Sequence, residues 1–146
     1  MQYPDLHIRP YRTADEAAVI ELWRQCGLTR PWNDPRKDIA RKSTVQPEWF
    51  LVGEVGGRVV ASVMAGYDGH RGWINYLSVD PRHRRRGYAK ALVANAERCF
   101  IDAGCPKINL LIRGDNTAVQ HFYRGLGFSQ DDVLSFGKRL IPDTQG

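Results

Sequence analysis

The sequence predicts an α/β domain in which a mixed β-sheet has helices on both of its faces. Segments with apolar residues at helical spacing alternate with short runs that are rich in β-branched and aromatic residues. Two consecutive hairpins precede a strand–helix–strand–helix order, which favours both antiparallel and parallel pairing. With 146 residues, 42% of them hydrophobic and 25% charged, residues 1–146 are expected to form a single domain with its own core.

The first predicted elements are a strand over residues 6–12 and a helix over residues 13–27. Thr13 and Glu16 stand at the spacing of a capping box, in which side chains satisfy free N–H groups at the helix start. Apolar residues then recur at helical spacing until a glycine ends the pattern. This helix is expected to pack one apolar stripe against the sheet.

A second helix and three strands are predicted next. The helix begins at Pro35, which suits a first turn, and ends at about Ser43. Strands over residues 49–55 and 58–67 flank a Gly-Gly pair, which is typical of a β-hairpin. The turn "DGHRG" leads into a strand over residues 73–79. These three strands are therefore expected to be antiparallel neighbours.

A strand–helix–strand unit follows. A helix that begins near Ala89 and ends at Gly104 connects the strand over residues 73–79 with a strand predicted over residues 107–112. A connection of this kind between parallel strands is expected to be right-handed.

The last predicted elements are a helix over residues 116–127 and a strand over residues 133–141. Val119, Phe122 and Leu126 fall on one face of this helix and are expected to pack inward.

Charge and cysteine content narrow the functional classes. The excess of 21 Lys and Arg over 16 Asp and Glu gives a net charge of +5, which favours acidic or phosphorylated partners. Three cysteines without a paired spacing favour reduced thiols and a cytoplasmic location. The histidines lack metal-ligand spacing, and no stretch reaches membrane-spanning length, so we predict neither a metal site nor a membrane protein.

The segment "DPRHRRRGYAKALV", residues 80–93, places five consecutive basic side chains before a predicted helix. Such a run can contact nucleic acid or hold one phosphorylated small ligand. A helix start offers N–H groups without intrahelical partners and the positive end of the helix dipole. Gly87 lets a ligand approach the backbone, and Ala89 keeps the first turn small. We therefore favour the small ligand over nucleic acid.

The pattern Arg84-x-x-Gly87-x-Ala89, after a strand and before a long helix, resembles the acyl-CoA-binding motif of the GCN5-related N-acetyltransferases, the GNAT family. The segment "DNTAVQHFYRGLGF" is similar to that family's Asn…Tyr-x-x-x-Gly-Phe segment. The two motifs occur in the family's order, and the predicted elements extend the resemblance over essentially the whole chain. More narrowly, "RPWNDP" and "GKRLI" look like segments of small bacterial acetyltransferases of the YpeA type.

The resemblance implies a GNAT-like, centrally splayed sheet and acetyl-CoA as co-substrate. It implies main-chain contacts to the CoA pyrophosphate from the loop before the long helix, and main-chain contacts to the pantetheine arm from the strand over residues 73–79. The implied cofactor-binding residues are Leu77, Val79, Arg84, Arg85, Arg86, Gly87, Tyr88, Ala89 and Asn116. Asn116 also suits the N-cap of its helix. Tyr123 matches the residue that protonates the leaving CoA thiolate.

The general base is the part of the resemblance that the sequence does not supply. Many family members have a glutamate early in the fourth strand, whereas here Asn75 stands at about that place. Asp68 and His70 are candidates, although a role in the hairpin turn is the favoured interpretation for both. Tyr76 could order a chain of water molecules. An acceptor amine of low pKa would need no strong base.

The leading hypothesis is an acetyl-CoA-dependent N-acetyltransferase that acts on a primary amine by direct attack. The acceptor stays open among a small amine, a protein N-terminus or lysine, and an aminoacyl-tRNA. The alternative is a non-catalytic domain of the same fold that senses CoA or binds nucleic acid. A homodimer is one of the assemblies that the sequence leaves open.

Overall fold

The computed structural model describes residues 5–143, which form a mixed five-stranded β-sheet with the order β1-β2-β3-β4-β5. The strands are β1 (His7–Pro10), β2 (Phe50–Val55), β3 (Arg58–Tyr67), β4 (Gly72–Val79) and β5 (Ile108–Asn109). The helices are α1 (Glu16–Gln25), α2 (Pro35–Lys42), α3 (Tyr88–Asp102) and α4 (Thr117–Gly125). The first four strands are antiparallel to their neighbours, and β5 is parallel to β4. The predicted α/β fold with a mixed sheet is confirmed.

Helices cover both faces of this sheet. On one face, α1 and α2 pack in a cluster formed by Val19, Leu22, Trp23, Ile39, Phe50, Val52 and Met64. On the other face, α3 contributes Leu92, Ala96 and Phe100 to a second cluster. Spacings of three and four residues place these apolar side chains on one side of each helix. Within residues 5–143, the helices lack the length and apolar content that a membrane span requires.

The start of α1 differs from the predicted capping box. A 3₁₀ turn over Thr13–Asp15 precedes the helix, and Asp15 rather than Glu16 accepts the N–H of Arg12, at 2.8 Å. The guanidinium of Arg9 in β1 donates to both oxygens of the same carboxylate, at 2.8 and 2.9 Å. The capping carboxylate therefore stands one residue earlier than predicted and also ties the helix to the sheet.

A β-bulge interrupts the pairing between β3 and β4. Ser62 pairs with Ser78, whereas Met64, two residues later, pairs with Asn75, three residues earlier. β4 therefore contains one extra residue, and Tyr76 adopts a φ of 54°. A bulge bends its strand and re-aims the side chains and main-chain groups next to it.

β4 and β5 pair over two residues each and then separate. Gly72 pairs with Ile108, and Trp73 with Asn109. The strand predicted over residues 107–112 is therefore too long, because beyond Asn109 the chain has diverged from its neighbour. The space between the two strands is the central splay that the family resemblance implied.

The strand predicted over residues 133–141 is wrong. This segment forms neither helix nor strand, and Val133, Leu134 and Phe136 are 74%, 83% and 90% exposed. Alternating apolar residues favour an extended backbone, but a strand also needs a neighbour with which to pair.

The buried face of α4 also differs from the prediction. Val119, Phe122 and Leu126 are only partly buried, and Tyr123 is the buried residue of the helix, with 6% exposure. All four residues lie on one side of the helix. The spacing therefore predicted the side of α4 that faces the protein, but not that Tyr123 is its most buried residue.

Candidate active site

The loop between β4 and α3 begins with a short turn held by Asp80. This carboxylate accepts the N–H of Arg82 at 2.8 Å and pairs with the guanidinium of the same residue at 3.0 Å. The side-chain hydrogen bond from Arg82 holds the pKa of Asp80 below its usual range despite burial. The β4 end of the loop is therefore fixed before the chain reaches the exposed arginines.

The N-terminus of α3 combines positive charge with an accessible backbone. Gly87 is the N-cap, with a φ of 80°, and has no side chain with which to cap the helix. The first turn contains no acidic residue, while Arg85 and Arg86 precede it as exposed side chains. Arg85 also has a φ of 64°, a conformation that few residues other than glycine adopt. This arrangement suits an anion at the helix start.

Arg84 points back to β4. Its Nε donates to the carbonyl oxygen of Val79 at 3.1 Å, and its Nη2 donates to Sγ of Cys26 at 3.5 Å. The Cys26 thiol donates to the same carbonyl at 3.3 Å. Arg84 therefore braces the loop against the end of the strand, and the Val79 carbonyl already has two donors.

The main chain of Leu77 faces the gap between β4 and β5. The N–H of Asp80 donates to the carbonyl of Val60 in β3 at 2.8 Å. Because successive main-chain groups alternate in direction along a strand, those of Leu77 and Val79 point away from β3. On that side β5 has already separated from β4. Of the two residues predicted to offer main-chain groups there, Leu77 is the one without a described partner for its carbonyl.

A buried polar network holds the bulge in place. The Ser62 hydroxyl accepts from Trp23 Nε1 at 2.9 Å and donates to the carbonyl of Tyr76 at 3.0 Å. The hydroxyls of Ser62 and Ser78 are 2.8 Å apart. Ser62 is 0% exposed and Ser78 4% exposed, so the bonds from Trp23 and between the two serines are made away from water, while the bond to the Tyr76 carbonyl is partly buried. Sequence reasoning missed these residues, because neither serine belongs to a recognisable local motif.

A cleft of about 1550 Å³ extends from the gap between β4 and β5 to α4 and the segment after it. Its walls include Trp73 and Asn75 of β4, Asn33 before α2, and Tyr123 of α4. The loop formed by residues 84–89 lies outside these walls. The cleft therefore brings Trp73, Asn75 and Asn33 together with Tyr123, while the start of α3 lies apart from it.

Tyr123 keeps its proton at neutral pH. Burial raises the pKa of its hydroxyl, and the ring packs edge-on against Phe122 and Phe128 with centroid distances of 5.0 and 5.2 Å. Among residues 5–143 its hydroxyl has no hydrogen-bond partner. Tyr123 can therefore present an uncommitted donor to a group in the cleft.

Asn116 has the structural role that its position predicts. Its Oδ1 accepts the N–H of Val119 at 3.2 Å and so caps the start of α4. Asn116 is an exposed residue, and capping uses only its side-chain oxygen, so the side-chain amide nitrogen is left as a donor for a second partner.

Asp68 is committed to its turn. Its Oδ1 accepts the N–H groups of His70 and Arg71 at 2.8 and 2.7 Å, and its Oδ2 accepts from Trp73 Nε1 at 3.2 Å. The two backbone hydrogen bonds hold the pKa of Asp68 below its usual range. A carboxylate with three donors and a lowered pKa is a poor proton acceptor, so the turn role of Asp68 is the one that the structure supports.

Tyr76 contacts a carboxylate that the sequence did not bring to attention. Its hydroxyl donates to Oδ2 of Asp38 in α2 at 2.5 Å, and its ring stacks on Trp23 at a centroid distance of 3.8 Å. Burial, followed by the hydrogen bond to Asp38, raises the pKa of Tyr76. The other carboxylate oxygen accepts from Arg41 at 2.9 Å. The bulge residue is therefore linked to a charged pair on α2.

A sequence model described as the acetyltransferase (GNAT) family matches residues 16–128 of this chain. The chain belongs to the GNAT family. Among its relatives are an acetyltransferase of Sodalis glossinidius (strain morsitans), 53% identical over 141 residues, and one of Pectobacterium atrosepticum, 51% identical over 140 residues. Each alignment covers 96% of this chain and 99% of the relative. The predicted GNAT family membership and the predicted enzyme class are confirmed: this chain is an N-acetyltransferase of that family.

Solved structures similar to this GNAT acetyltransferase support the fold. Ard1 from Thermoplasma volcanium is 26% identical with a TM-score of 0.71, and the match covers 86% of this chain and 83% of Ard1. A chain of the NatC complex bound to Gag peptide and CoA is 22% identical with a TM-score of 0.76, with coverages of 88% and 87%. AAC(6′)-Iy in complex with the bisubstrate analogue CoA-S-monomethyl-acetylneamine is 21% identical with a TM-score of 0.73, with coverages of 92% and 99%.

Side chains that could ligate a metal ion are dispersed over the described residues 5–143 of this enzyme. In the part of the chain that the structure describes, no three His, Cys, Asp or Glu residues are grouped to hold a metal ion.

Proposed function

We propose that this GNAT acetyltransferase moves an acetyl group from acetyl-CoA to a primary amine by direct attack. The observation that carries this proposal is the gap beyond the short pairing of β4 and β5, which is continuous with the cleft that contains Tyr123, while the helix start at Gly87 follows the end of β4 in the chain. A long, thin ligand with a phosphorylated end and a reactive end fits such an arrangement. We also propose that residues 1–146 act as one domain and that the enzyme works in the cytoplasm, where thiols stay reduced.

The CoA pyrophosphate is placed at the start of α3. The N–H groups of the first turn and the guanidinium groups of Arg85 and Arg86 supply hydrogen bonds and positive charge. Tyr88 and Ala89 contribute main-chain groups. Arg84 holds the loop through Val79 and Cys26 and so acts by positioning.

The pantetheine arm occupies the gap between β4 and β5. Its amide groups pair with the main chain of Leu77 as an additional strand would, and the side-chain amide of Asn116 donates to the same arm. The NatC and AAC(6′)-Iy structures carry a CoA group on this fold, which supports a CoA site in this enzyme.

In the reaction, the neutral amine attacks the thioester carbonyl, and a C–N bond forms as the carbonyl electrons move onto oxygen. A main-chain N–H near the bulge, from Leu77, stabilises this oxyanion. As the intermediate collapses, the attacking nitrogen gives up its remaining ammonium proton to a water molecule, the C–S bond breaks, and the sulfur leaves as a thiolate with a pKa of about 8.5. Because burial raises the pKa of Tyr123, this phenol is a weaker acid than the thiol, so it stabilises the thiolate chiefly by donating a hydrogen bond.

The ammonium form of the acceptor must first lose a proton to a water molecule. With a lysine-like pKa of about 10.4, forming the neutral amine at pH 7 costs about 4–5 kcal/mol. Asp68 is committed to its turn, so we propose that Tyr76 helps here, with Asp38 behind it. While the Tyr76 hydroxyl donates to Asp38, its oxygen can accept a hydrogen bond from the ammonium group or from a water molecule next to it.

The acceptor is a small amine or the N-terminus or lysine of a peptide. The fold is known with both classes of ligand, since the NatC structure contains a peptide and the AAC(6′)-Iy structure an analogue with an acetylneamine part. An aminoacyl-tRNA is a further candidate acceptor, and the net charge of +5 is the observation that favours it.

The proposal is tested by measuring thiol release from acetyl-CoA across amino acids, polyamines, aminoglycosides and peptides, together with calorimetric titration of CoA. We expect CoA to bind below millimolar concentration and at least one amine to accelerate thiol release. CoA binding without turnover on any amine would favour a sensing domain. Salt-dependent binding of duplex DNA with no CoA binding would overturn the proposal.

A further inference from the structure

Arg113, which follows β5, lines the same cleft as Tyr123 and stacks on an aromatic ring. Its guanidinium carbon lies over the indole of Trp32, 5.7 Å from the ring centroid. A guanidinium stacked on an aromatic face keeps its N–H groups at the edge of the stack, where they can still donate. Among residues 5–143, no carboxylate forms an ion pair with Arg113. The cleft wall therefore holds a positioned cation whose charge the described part of the chain leaves unneutralised.

A second donor stands beside this stack. Asn33, the neighbour of Trp32 in the chain, also lines the cleft. Its Oδ1 accepts a hydrogen bond from Nη2 of Arg139 at 3.0 Å, which leaves the side-chain amide nitrogen as a donor. Arg113 and Asn33 thus bring N–H groups to the end of the cleft that is formed by the turn over residues 30–34.

This turn is held from both sides before any ligand binds. The N–H of Asn33 donates to the carbonyl of Arg30 at 3.1 Å, and the N–H of Asp34 donates to the buried carboxylate of Asp143 at 2.9 Å. Asp34 also caps α2 by accepting the N–H of Arg36 at 2.9 Å. A turn that is fixed in this way presents its donors with little ordering cost on binding.

The other charges of the cleft do not neutralise this end of it. The charged side chains of the walls are Glu97, Lys107, Arg113, Arg124 and Asp131. Lys107 and Asp131 pair with one another at 3.0 Å. Glu97 belongs to α3 and Arg124 to α4, whereas Arg113 is the wall residue that contacts the turn over residues 30–34. An anionic group is attracted to this end of the cleft, and a polycationic amine is repelled from it.

We propose that the acceptor carries a carboxylate close to its amine, and that Arg113 and Asn33 bind this carboxylate. Arginine and amide N–H groups are the donors that match two carboxylate oxygens, and charge-assisted bonds of this kind are the stronger ones. The amine then lies further along the cleft, towards the gap between β4 and β5. This inference rests on the proposed acetyl transfer and narrows its acceptors to free amino acids and the N-termini of acidic peptides.

Acceptor pairs that differ in one carboxylate test the inference. Thiol release from acetyl-CoA is measured for each amino acid and its amide, and for peptides with Asp or Asn as the second residue. We expect the carboxylate member of at least one pair to exceed its partner about tenfold in kcat/KM. Loss of the carboxylate lowers the pKa of the neighbouring amine, so chemistry alone would favour the amide. The two sets of pairs show whether the carboxylate belongs to a free amino acid or to a side chain.

Variants of Arg113 assign the preference to this residue. Arg113→Gln should raise KM for the preferred carboxylate acceptor about tenfold, leave kcat within about threefold and leave the amide unaffected. Arg113→Lys keeps the charge but loses the planar fork, so an intermediate KM is expected. Arg58→Gln is the matched control, because Arg58 lies in the exposed β2–β3 hairpin, outside the cleft walls. Circular dichroism and the affinity for CoA check that each variant is folded.

Equal kcat/KM values within every pair, or a preference that Arg113→Gln leaves intact, overturn the inference. A loss of CoA affinity in Arg113→Gln with an unchanged acceptor KM also overturns it, because the residue then serves the co-substrate. If no amine is acetylated, the proposed function fails, and calorimetric titration of the same pairs into the enzyme–CoA complex decides the inference. Binding of carboxylate members that Arg113→Gln abolishes supports it, and equal or absent binding overturns it.

Discussion

Ser62 of β3 donates a hydrogen bond of 3.0 Å to the carbonyl of Tyr76, across the bulge that opens β4 next to the gap. Its oxygen also accepts from Trp23 Nε1. One buried hydroxyl therefore ties α1, β3 and the bulge together, and its removal has consequences for both stability and catalysis.

Replacing Ser62 by Ala leaves the buried Trp23 N–H and the Tyr76 carbonyl without their partner. We expect a loss of about 1–3 kcal/mol in the free energy of unfolding, measured by urea denaturation. Turnover should fall more than CoA affinity does, because the bulge carries the main-chain groups beside the reacting carbonyl. Ser78→Ala is the matched control, since Ser62 keeps its bonds to Trp23 and Tyr76 there. Equal losses in both variants would contradict the role given to Ser62.

Gly87→Glu should abolish CoA binding by bringing a carboxylate to the positive end of α3. We expect calorimetry to show at least a hundredfold loss of affinity, since repulsion adds to steric exclusion from the anion site. Gly104→Glu is the control: Gly104 follows the other end of α3, has a similar φ of 78°, and a Cβ there would meet nothing within 4 Å. The backbone strain of the two variants is thus comparable. Similar losses of CoA affinity in both would contradict an anion site at Gly87.

Tyr123→Phe should lower kcat about 10- to 100-fold and leave the affinity for CoA within about threefold, because the hydroxyl acts only when the thiolate forms. Steady-state kinetics with the best acceptor measures both quantities. Tyr67→Phe is the control, since the Tyr67 hydroxyl lies in the exposed hairpin turn, 3.5 Å from the Gly69 carbonyl. An unchanged kcat in Tyr123→Phe would remove this residue from the mechanism.

Asp15 should make stability depend on pH at the acidic end. The hydrogen bonds from Arg9 hold the pKa of Asp15 below its unfolded value of about 3.9. The ionised carboxylate therefore stabilises the fold fully above that unfolded pKa, and the contribution is lost as the pH falls through the folded pKa. Asp15→Asn should cost about 1–3 kcal/mol at pH 7, and the difference from the unmodified chain should shrink below pH 4.

Unfolding curves measured between pH 2 and pH 7 check this expectation. Glu21→Gln is the control, because Glu21 forms an exposed pair with Arg24 within one helix, and such pairs add little. A constant difference between Asp15→Asn and the unmodified chain over the whole pH range would contradict the coupling.

Local sequence patterns predicted the features that local chemistry controls. Pro35 and Gly104 mark where helices begin and end, and Asn116 caps α4 as its residue type favours. The anion site that Gly87 and the arginines before it indicate stays a prediction; the structure gives the start of α3 a glycine N-cap and a first turn without acidic residues. These features depend on a few consecutive residues, so a single sequence is sufficient to find them.

Features that depend on two distant segments escaped prediction. The bulge at Tyr76 arises from the register between β3 and β4, which no single strand encodes. Asp38 reaches Tyr76 across the packing of α2 on the sheet, 38 residues away in sequence. Residues 133–141 have the composition of a strand, yet they pair with no strand among residues 5–143. In each case the missing information is the identity of the contacting segment.

The brevity of the pairing between β4 and β5 has a mechanical consequence. With two paired residues on each strand, residues 108–143, about a quarter of the chain, share only a short stretch of backbone pairing with the main sheet. A co-substrate that occupies the gap would pair with β4 as a strand does. CoA binding would therefore be coupled to the local stability of residues 108–125. Amide hydrogen exchange in residues 108–125 should slow when CoA is added, and the melting temperature should rise with the logarithm of its concentration. The bound co-substrate would then complete the hydrogen bonding of the sheet at the gap between β4 and β5.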